Sequence, residues 1–167
     1  MSEKRLPNGS RLTEATGKML LIVFHSQSGN TERLSAAVEE GAQRVESVKV
    51  RRLQAAQVSC EDLAQCRCVV ICSPEYFGYM AGAIKDLFDR TYEDVRERMA
   101  GKSYAVVVSA GNDGTGALTS IERIVTGWKL KRVQEPAICQ GAVSEPALER
   151  CRTIGQTLAA GMDLGIY

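Results

Sequence analysis

The chain has 167 residues, a length that suits one well-cored domain and is short for two. Its residues are 44% hydrophobic and 25% charged, which is ordinary for a globular protein in water. The 21 Lys and Arg residues nearly balance the 20 Asp and Glu residues, so the net charge of +1 does not favour binding to nucleic acid or to an anionic membrane.

The first residues and the cysteines indicate the cellular setting. Residues 1–17 are polar and aperiodic, which predicts a flexible N-terminal arm followed by one domain over residues 18–167. The arm lacks the apolar core of a signal peptide, and no apolar run approaches the roughly 20 residues of a membrane helix. A cytoplasmic protein without a membrane span is therefore expected. Three of the six cysteines lie in or at the end of one apolar run, which favours buried thiols over disulfides. No metal site is expected, because there is one His and no Cys-x-x-Cys pair.

Apolar runs alternate with segments of helical spacing along the chain. The predicted strands are Met19–Phe24, Val48–Leu53, Arg67–Cys72, Tyr104–Ser109 and Ala137–Cys139. Helical spacing begins near Thr31, Ala83, Leu118 and Glu145. This alternation predicts an α/β fold, with a doubly wound five-stranded parallel sheet and helices on both faces.

Three loops of unusual composition follow predicted strands: His25–Thr31, Ser73–Met80 and Ala110–Gly116. In a doubly wound sheet, ligands bind beyond the carboxyl ends of the strands, where the strand order reverses. We therefore expect these three loops to meet at one edge of the sheet and to form the binding site.

The first loop has the composition of a phosphate-binding loop. It joins a buried strand to a helix and carries the hydroxyls of Ser26, Ser28 and Thr31 beside Gly29. A helix start offers unpaired N–H groups with positive partial charge, and small residues let an anion approach them. The loop has no lysine, which suits a phosphate that stays bound better than one that is transferred. The alternative is a polar turn in which Asn30 or Thr31 caps the helix.

The other two loops have the composition expected around a flat ring. Residues 73–80 hold three of the chain's nine Phe, Trp and Tyr side chains, which can stack on a ring or simply cover the sheet edge. Residues 110–116 hold three glycines, which let backbone N–H groups approach a ligand or simply make the loop flexible. The glycines at 111, 114 and 116 have the reverse of the order found in dinucleotide-binding loops, and the full Gly-x-x-x-x-Gly-Lys-Ser/Thr motif of nucleotide triphosphatase loops is absent from the sequence.

The segment from Ile22 to Leu34 resembles the phosphate-loop signature of flavodoxins, in which a strand is followed by Thr/Ser-x-Thr/Ser-Gly-x-Thr. Ser73-Pro74-Glu75-Tyr76-Phe77-Gly78 and the segment from Ala81 to Arg90 resemble the second loop of flavodoxin-like NAD(P)H-dependent reductases. That group includes FMN reductases and the tryptophan-repressor-binding-protein-like quinone reductases. The resemblance covers about residues 19 to 160 and implies a sheet of order 2-1-3-4-5 with FMN across the strand ends.

The resemblance also implies a set of cofactor-binding residues. Ser26, Ser28, Asn30 and Thr31 would hold the FMN phosphate, and Gln27 and Gly29 would contribute backbone groups. One side of the isoalloxazine ring would be covered by Pro74, Glu75, Tyr76, Phe77 and Gly78. Its pyrimidine edge would be approached by Ala110, Gly111, Asn112, Asp113 and Gly116. The chain departs from FMN reductases at Phe77-Gly78-Tyr79-Met80, where that group usually has Asn followed by small residues.

The resemblance implies an oxidoreductase that takes hydride from NAD(P)H and reduces a small acceptor such as a quinone. The flavin carries out the chemistry, so the catalytic residues are unknown. The alternative is a flavodoxin-like electron carrier between protein partners, although such carriers are typically strongly acidic. A flavin-bearing regulatory module is a third, weaker interpretation. A homo-oligomer, most simply a dimer, is expected because five apolar side chains would exceed what one flavin covers: Tyr76, Phe77, Tyr79, Met80 and Trp128.

Overall fold

The computed structural model describes residues 17–167. The predicted flexible arm, residues 1–17, therefore lies outside the described residues except for Gly17. Within residues 17–167, no helix is both long enough and apolar enough to cross a membrane.

The predicted parallel α/β sheet is confirmed. Its strands are β1 (Met19–Phe24), β2 (Lys49–Gln54), β3 (Cys68–Tyr76), β4 (Tyr79–Met80), β5 (Ser103–Ala110), β6 (Lys131–Arg132) and β7 (Ala137–Gln140). The parallel core has the order β2-β1-β3-β5, with β6 and β7 both pairing with the far side of β5. This arrangement is the order 2-1-3-4-5 that the resemblance implies, with the fifth position shared by two short strands.

Two departures raise the strand count from five to seven. The first is β6, a two-residue strand that the sequence does not predict; it lies before the predicted last strand, β7, which begins directly after Pro136, a residue with no N–H to donate to a ladder. The segment predicted as a loop from Ser73 to Met80 continues β3 and then turns back as β4. Pro74 is tolerated within β3 because the pairing with β1 has already ended at Cys72.

The helices are α1 (Asn30–Ala42), α2 (Cys60–Gln65), α3 (Gly82–Met99), α4 (Thr115–Gly127) and α5 (Glu145–Asp163). The short helix α2 is not among the helices predicted from periodicity. Its signal is local rather than periodic: the Ser59 hydroxyl accepts from the N–H of Asp62, and the Asp62 carboxylate accepts from the N–H of Ser59. This capping box stabilises a helix that is too short to show an apolar stripe.

Two apolar clusters fill the two faces of the sheet. One packs α2, α3 and α4 against the sheet, and its largest fully buried side chain is Trp128. The Trp128 ring lies 5.3 Å from Phe88 and stacks at 5.6 Å on Tyr92. The other cluster packs α1 and α5 against the opposite face. The cysteines at 66, 68 and 72 are buried free thiols, as the apolar run predicts.

The contact between α1 and α5 depends on two glycines. A methyl group on Gly41 would collide with the carbonyl of Arg152, and one on Gly155 would collide with the carbonyl of Val38. The two backbones therefore touch with no side chain between them. The guanidinium of Arg152 adds ion pairs across and along this contact, to Glu40 at 2.9 Å and to Glu145 and Glu149 on its own helix. Helix α1 is consequently held along its C-terminal half.

Candidate functional site

The three loops of unusual composition meet at the carboxyl edge of the sheet, as the topology predicts. The His25 ring lies edge-on to Tyr76, with 6.3 Å between the ring centroids. The hydroxyls of Thr31 and Ser109 are 2.7 Å apart, which joins α1 to the end of β5. The N–H of Ala117 donates to the Glu75 carboxylate at 3.0 Å. In the third loop itself, Gly116 lies directly against the carbonyl of Gly78 in the second loop. Each loop therefore contacts at least one of the others.

The first loop leaves β1 and turns directly into α1. Gly29 occupies the position before the helix with φ of +93°, a left-handed conformation that side chains other than glycine rarely adopt. The N–H of Gly29 donates to the Ser26 hydroxyl at 3.0 Å, which fixes the turn. Gln27 and Ser28 are exposed at its outer side. The loop thus presents small polar groups around the start of the helix.

Helix α1 starts without a side-chain cap, so the alternative in which Asn30 or Thr31 caps the helix is wrong. Its backbone hydrogen bonds begin with the N–H of Arg33, which donates to the carbonyl of Gly29 at 3.0 Å. The N–H groups of the first turn have no acceptor within the helix itself. By contrast, α2 and α5 are capped by the hydroxyls of Ser59 and Ser144. Helix α3 also lacks a side-chain cap, but the residue that precedes it, Ala81, is fully buried.

The second loop is a β-hairpin that turns at Phe77 and Gly78. Both residues have positive φ, +54° and +69°, as a two-residue turn that matches the strand twist requires. Phenylalanine in this conformation is strained, since residues other than Gly, Asn and Asp seldom adopt it. The Phe77 side chain is fully exposed at the tip, and Tyr79 beside it is 43% exposed. The hairpin therefore presents two aromatic rings at the open edge of the sheet.

The base of the hairpin is fixed by two buried serines. The Ser73 hydroxyl accepts from the N–H of Ala81 at 3.0 Å, and the Ser120 hydroxyl accepts from the N–H of Met80 at 3.1 Å. Their own protons go to backbone carbonyls, so both hydroxyls are fully used. Neither serine is among the predicted site residues. The rigid base leaves the side chains of the turn as the parts that can move.

Beside the third loop, side-chain carboxylates accept hydrogen bonds from the start of α4. Asp113 accepts from the N–H of Thr115 at 3.1 Å and from its hydroxyl at 2.9 Å. These hydrogen bonds lower the pKa of Asp113, so the group is ionised at neutral pH. Glu75 adds a second carboxylate from the hairpin by accepting from Ala117. Two of the N–H groups at this helix start, those of Thr115 and Ala117, are therefore already occupied.

Gly116 places α4 against the hairpin. A methyl group on Gly116 would collide with the carbonyl of Gly78, so only glycine permits this approach. The resemblance places Gly116 at the ring edge of the ligand, whereas its contact here is with the turn of the second loop. Gly114, which is not among the predicted residues, precedes the helix with φ of +74°. The signal for it was its place as the second of the three glycines in the loop.

The predicted site residues divide into three sets by their position. At the loop surfaces lie Gln27, Ser28, Phe77, Gly78, Gly111, Asn112 and Asp113; half-buried between the loops lie Ser26, Gly29, Asn30, Glu75, Tyr76 and Gly116; and buried at strand or helix ends lie Thr31, Pro74 and Ala110. Burial raises the pKa of the Tyr76 phenol, and the backbone of Gln27 opposes that shift. Sequence reasoning missed Ser109, whose only signal was a hydroxyl at the end of an apolar strand.

The apolar surface invoked for a dimer is smaller than expected. Trp128 is 1% exposed and Met80 is 2% exposed, because α4 and the hairpin fold back onto the core. Of the five side chains invoked for the dimer, the aromatic ones of the hairpin remain accessible, with Phe77 the most exposed. The expectation that Trp128 and Met80 contribute to a surface patch was therefore wrong.

A cavity of about 440 Å³ lies elsewhere, between β7 and the first turns of α5. It is lined by side chains that include Ile138, Arg150 and Cys151, and none of the predicted site residues lines it. Burial raises the pKa of the Cys151 thiol to about 12, so this thiol is protonated and unreactive at neutral pH. The site residues predicted from the sequence lie at the loop edge and not in this cavity.

The sequence matches the family described as NADPH-dependent FMN reductase over residues 51–138. Among characterised proteins, a flavodoxin from Aquifex aeolicus is 26% identical over 156 residues, covering 84% of each chain. An NAD(P)H dehydrogenase (quinone) from Acidithiobacillus ferrooxidans is 29% identical over 123 residues. That alignment covers 61% of this chain and 62% of the dehydrogenase, less than two thirds of either.

The fold has a close structural counterpart in a flavodoxin from the domain Archaea. The two superpose with a TM-score of 0.78 over 87% of this chain and 99% of the archaeal one. Their sequences are 19% identical, so the likeness concerns the fold alone.

Proposed function

The chain belongs to the NADPH-dependent FMN reductase family, and we propose that it is an FMN-binding oxidoreductase that takes electrons from NAD(P)H. The observation that carries this proposal is the start of α1, which has no side-chain cap and is surrounded by hydroxyls. Helix starts of this kind bind phosphate groups through backbone N–H donors and the helix dipole.

The donor set fits the phosphate of a bound mononucleotide. Ser26 and Ser28 bring hydroxyls, and Gly29 lets the backbone turn without a side chain in the way. The acidic residue of the first turn, Glu32, is exposed. A phosphate here would be neutralised by dipoles and neutral donors, which suits a cofactor that remains bound. The sequence offers no second nucleotide loop for an adenylate, which favours FMN over FAD.

The hairpin and the third loop suit the ring of the cofactor. We propose that Tyr76, Phe77 and Gly78 cover one side of the ring, and that Gly111 and Asn112 approach its polar edge. When bound, FMN would supply the exchange of electrons with NAD(P)H and with the acceptor. The protein would orient the ring, limit access of water and leave one side open to the nicotinamide. Pro74 and Glu75 would act through the hairpin, because Pro74 is buried in β3 and Glu75 binds α4.

A small acceptor such as a quinone is the finer part of the proposal. It is supported by the similarity to the quinone dehydrogenase from Acidithiobacillus ferrooxidans. The second candidate is an electron carrier, which is favoured by the similarity to the Aquifex aeolicus flavodoxin over most of both chains. The net charge of +1 opposes the carrier, because carriers that are steered to basic partners need a surface of one sign.

An anaerobic titration of the FMN-loaded protein distinguishes the two candidates. NADH or NADPH is added and the flavin absorption is followed, with dithionite as the control reductant. The oxidoreductase requires that at least one nicotinamide bleaches the flavin within the turnover time of a quinone assay. Bleaching by dithionite alone would establish the carrier instead. Release of FAD instead of FMN on heating, or failure of the apoprotein to bind either, would overturn the assignment of the cofactor.

The substitution Tyr79→Ala tests which residue covers the nicotinamide side. Hydride donors react only at about 3–3.5 Å from the acceptor, so the covering side chain must be able to move aside. Tyr79 is 43% exposed on a fixed hairpin, which suits this role. We expect a higher KM for the nicotinamide with little change in FMN affinity. The matched variant Tyr79→Phe keeps the ring and should keep the KM, whereas a main effect of Tyr79→Ala on folding would refute the role.

We also propose a reducing cytoplasmic setting and a dimer. The six cysteines are free thiols, which is usual where disulfides are kept reduced. The fully exposed Phe77 is the remaining support for the dimer. Light scattering of the FMN-loaded protein at micromolar concentration tests it, and a monomer would refute it.

A further inference from the structure

We infer that Ser109 is a positioning residue of the phosphate site and that it acts through the hydroxyl of Thr31. This inference rests on the proposed FMN function and names a residue that the flavodoxin resemblance did not supply. Ser109 ends the apolar part of β5, and Thr31 lies in the first turn of α1, 78 residues earlier in the chain. Their hydroxyl oxygens are 2.7 Å apart.

The pair is buried at the edge where the site lies. Thr31 is 1% exposed and Ser109 is 6% exposed, so water does not compete freely for either hydroxyl. In the sheet, Ser109 is the residue of β5 that pairs with Pro74 at the base of the hairpin. The hydrogen bond therefore joins the first turn of the uncapped helix to the strand that leads into the third loop.

The number of protons in the pair points to a ligand. Each hydroxyl carries one proton, and the single hydrogen bond between the two oxygens uses only one of them. Within residues 17–167, neither hydroxyl makes a second hydrogen bond. The remaining proton therefore belongs to whichever hydroxyl acts as acceptor, and it lies in a buried place without a protein acceptor.

An anion bound at the start of α1 would accept the remaining hydroxyl proton. A hydroxyl next to an anion must donate to it, because its lone pairs would be repelled. Thr31 belongs to the first turn, whose N–H groups face the anion, so its proton is the one that turns to a phosphate oxygen. Ser109 must then donate to Thr31. Its presence fixes which hydroxyl has the free proton and holds the Thr31 oxygen in place.

The first test compares FMN with riboflavin, which has the same ring and no phosphate. Dissociation constants are measured by fluorescence titration of the apoprotein for Ser109→Ala, with Ser103→Ala as the matched control. Ser103 is a buried serine of the same strand at the opposite edge of the sheet. We expect Ser109→Ala to weaken FMN about three- to tenfold, the range for one neutral hydrogen bond. Its effect on riboflavin, and the effect of Ser103→Ala on either flavin, should stay below about twofold.

The second test asks whether Ser109 acts through Thr31. Thr31→Val removes the hydroxyl that faces the anion and should weaken FMN about 10- to 100-fold. Adding Ser109→Ala to Thr31→Val should then change FMN affinity by less than about twofold, because the intermediary is gone. Thr31→Ser keeps the hydroxyl and should restore the preference for FMN even where Thr31→Val folds poorly.

The outcomes separate this inference from the proposed function. If the native protein binds neither flavin, the proposed function fails, and this inference fails with it. If it binds FMN but Ser109→Ala weakens both flavins equally, or neither, the pair only joins two elements and the inference alone is overturned. Additive losses in the double variant would also overturn it, because Ser109 would then act independently of Thr31.

Discussion

Helices α1 and α4 both start at the carboxyl edge of the sheet, yet their first turns are built in opposite ways. Both follow a glycine with positive φ and neither has a capping side chain at that glycine. At α4, the carboxylates of Asp113 and Glu75 accept from two N–H groups of the first turn, those of Thr115 and Ala117. At α1, hydroxyls surround the helix start and its one acidic residue, Glu32, is exposed.

This difference indicates that the start of a helix is open to a bound anion when no carboxylate of the protein already accepts from its N–H groups. Two carboxylates next to α4 satisfy its dipole and repel a phosphate. No such carboxylate accepts from the start of α1 within the described residues. This difference supports the proposal that the first loop binds the phosphate and that the start of the third has a structural role, although both loops are rich in small residues.

The largest effect is expected when a carboxylate is placed at the start of α1, as already occurs at α4. Ser28→Asp sets a negative charge against a phosphate of about −1.5 to −2, and Ser28 is exposed, so the apoprotein should accept it. We expect FMN affinity to fall by more than about 100-fold while the free energy of unfolding stays equal or rises, because a carboxylate suits a helix start. Fluorescence titration and urea unfolding measure the two.

Ser28→Ala is the matched control for that substitution, since it removes the hydroxyl without adding charge. Its loss of FMN affinity should be far smaller. A large loss of apoprotein stability in Ser28→Asp would mean that the loop is damaged and that the charge argument is not tested by binding alone. Retention of FMN binding by a folded Ser28→Asp would place the phosphate elsewhere.

The contact that seats α4 against the hairpin gives the next largest effect. Gly116→Ala would drive a methyl group into the carbonyl of Gly78, and we expect a loss of about 1–3 kcal/mol in the free energy of unfolding. Gly111→Ala is the matched control, because nothing lies within 4 Å of its added methyl group. Urea midpoints measure both. Equal effects of the two substitutions would refute the close packing of the two loops.

Removing a carboxylate from the start of α4 should change how the stability of the protein depends on pH. The hydrogen bonds from Thr115 lower the pKa of Asp113. Its contribution to stability is therefore complete above the unfolded pKa of about 4 and is lost as the pH falls through the lower folded value. We expect Asp113→Asn to lower the urea midpoint at neutral pH, with a difference from the native protein that shrinks as the solution is acidified. A difference that is constant with pH would contradict the role.

The smallest expected effect concerns the one acidic side chain near the open helix start. Glu32 lies in the first turn of α1 and is exposed to water, which screens its charge. Glu32→Gln should tighten FMN binding by about two- to threefold at low salt, within the range of exposed charges near a helix end. The gain should vanish at high salt. Glu40→Gln, a change of the same type farther along α1, should leave FMN affinity unchanged.

The sequence predicts the main strands and the first loop because their signals are local. Met19–Phe24 is a continuous apolar run, and the small polar residues that follow it define the turn into α1. The sequence predicts a loop where the hairpin lies, because Pro74 and Gly78 usually end strands. In the structure Pro74 is accommodated because the pairing of β3 with β1 has already ended. The burial of Trp128 could not be predicted, since its partners Phe88 and Tyr92 belong to a different helix.

The contacts that distinguish α1 from α4 also cannot be predicted from short segments of the sequence. Glu75 reaches a residue 42 positions later, and Thr31 reaches one 78 positions later. A carboxylate in a loop does not reveal whether it faces a ligand or caps a helix from another element. Such roles follow only from the relative placement of strands, which sets the loops side by side.

The glycine contact between α1 and α5 implies that the backbone amides at the two ends of α1 exchange with solvent at different rates. Backbone amides near Gly41 are locked against α5 and should exchange with deuterium only when the whole domain opens. Amides of the first turn, without helical acceptors, should exchange rapidly in the apoprotein. A ligand bound at that end would slow those few amides and leave the rest unchanged, so the helix itself would report occupancy at single-residue detail.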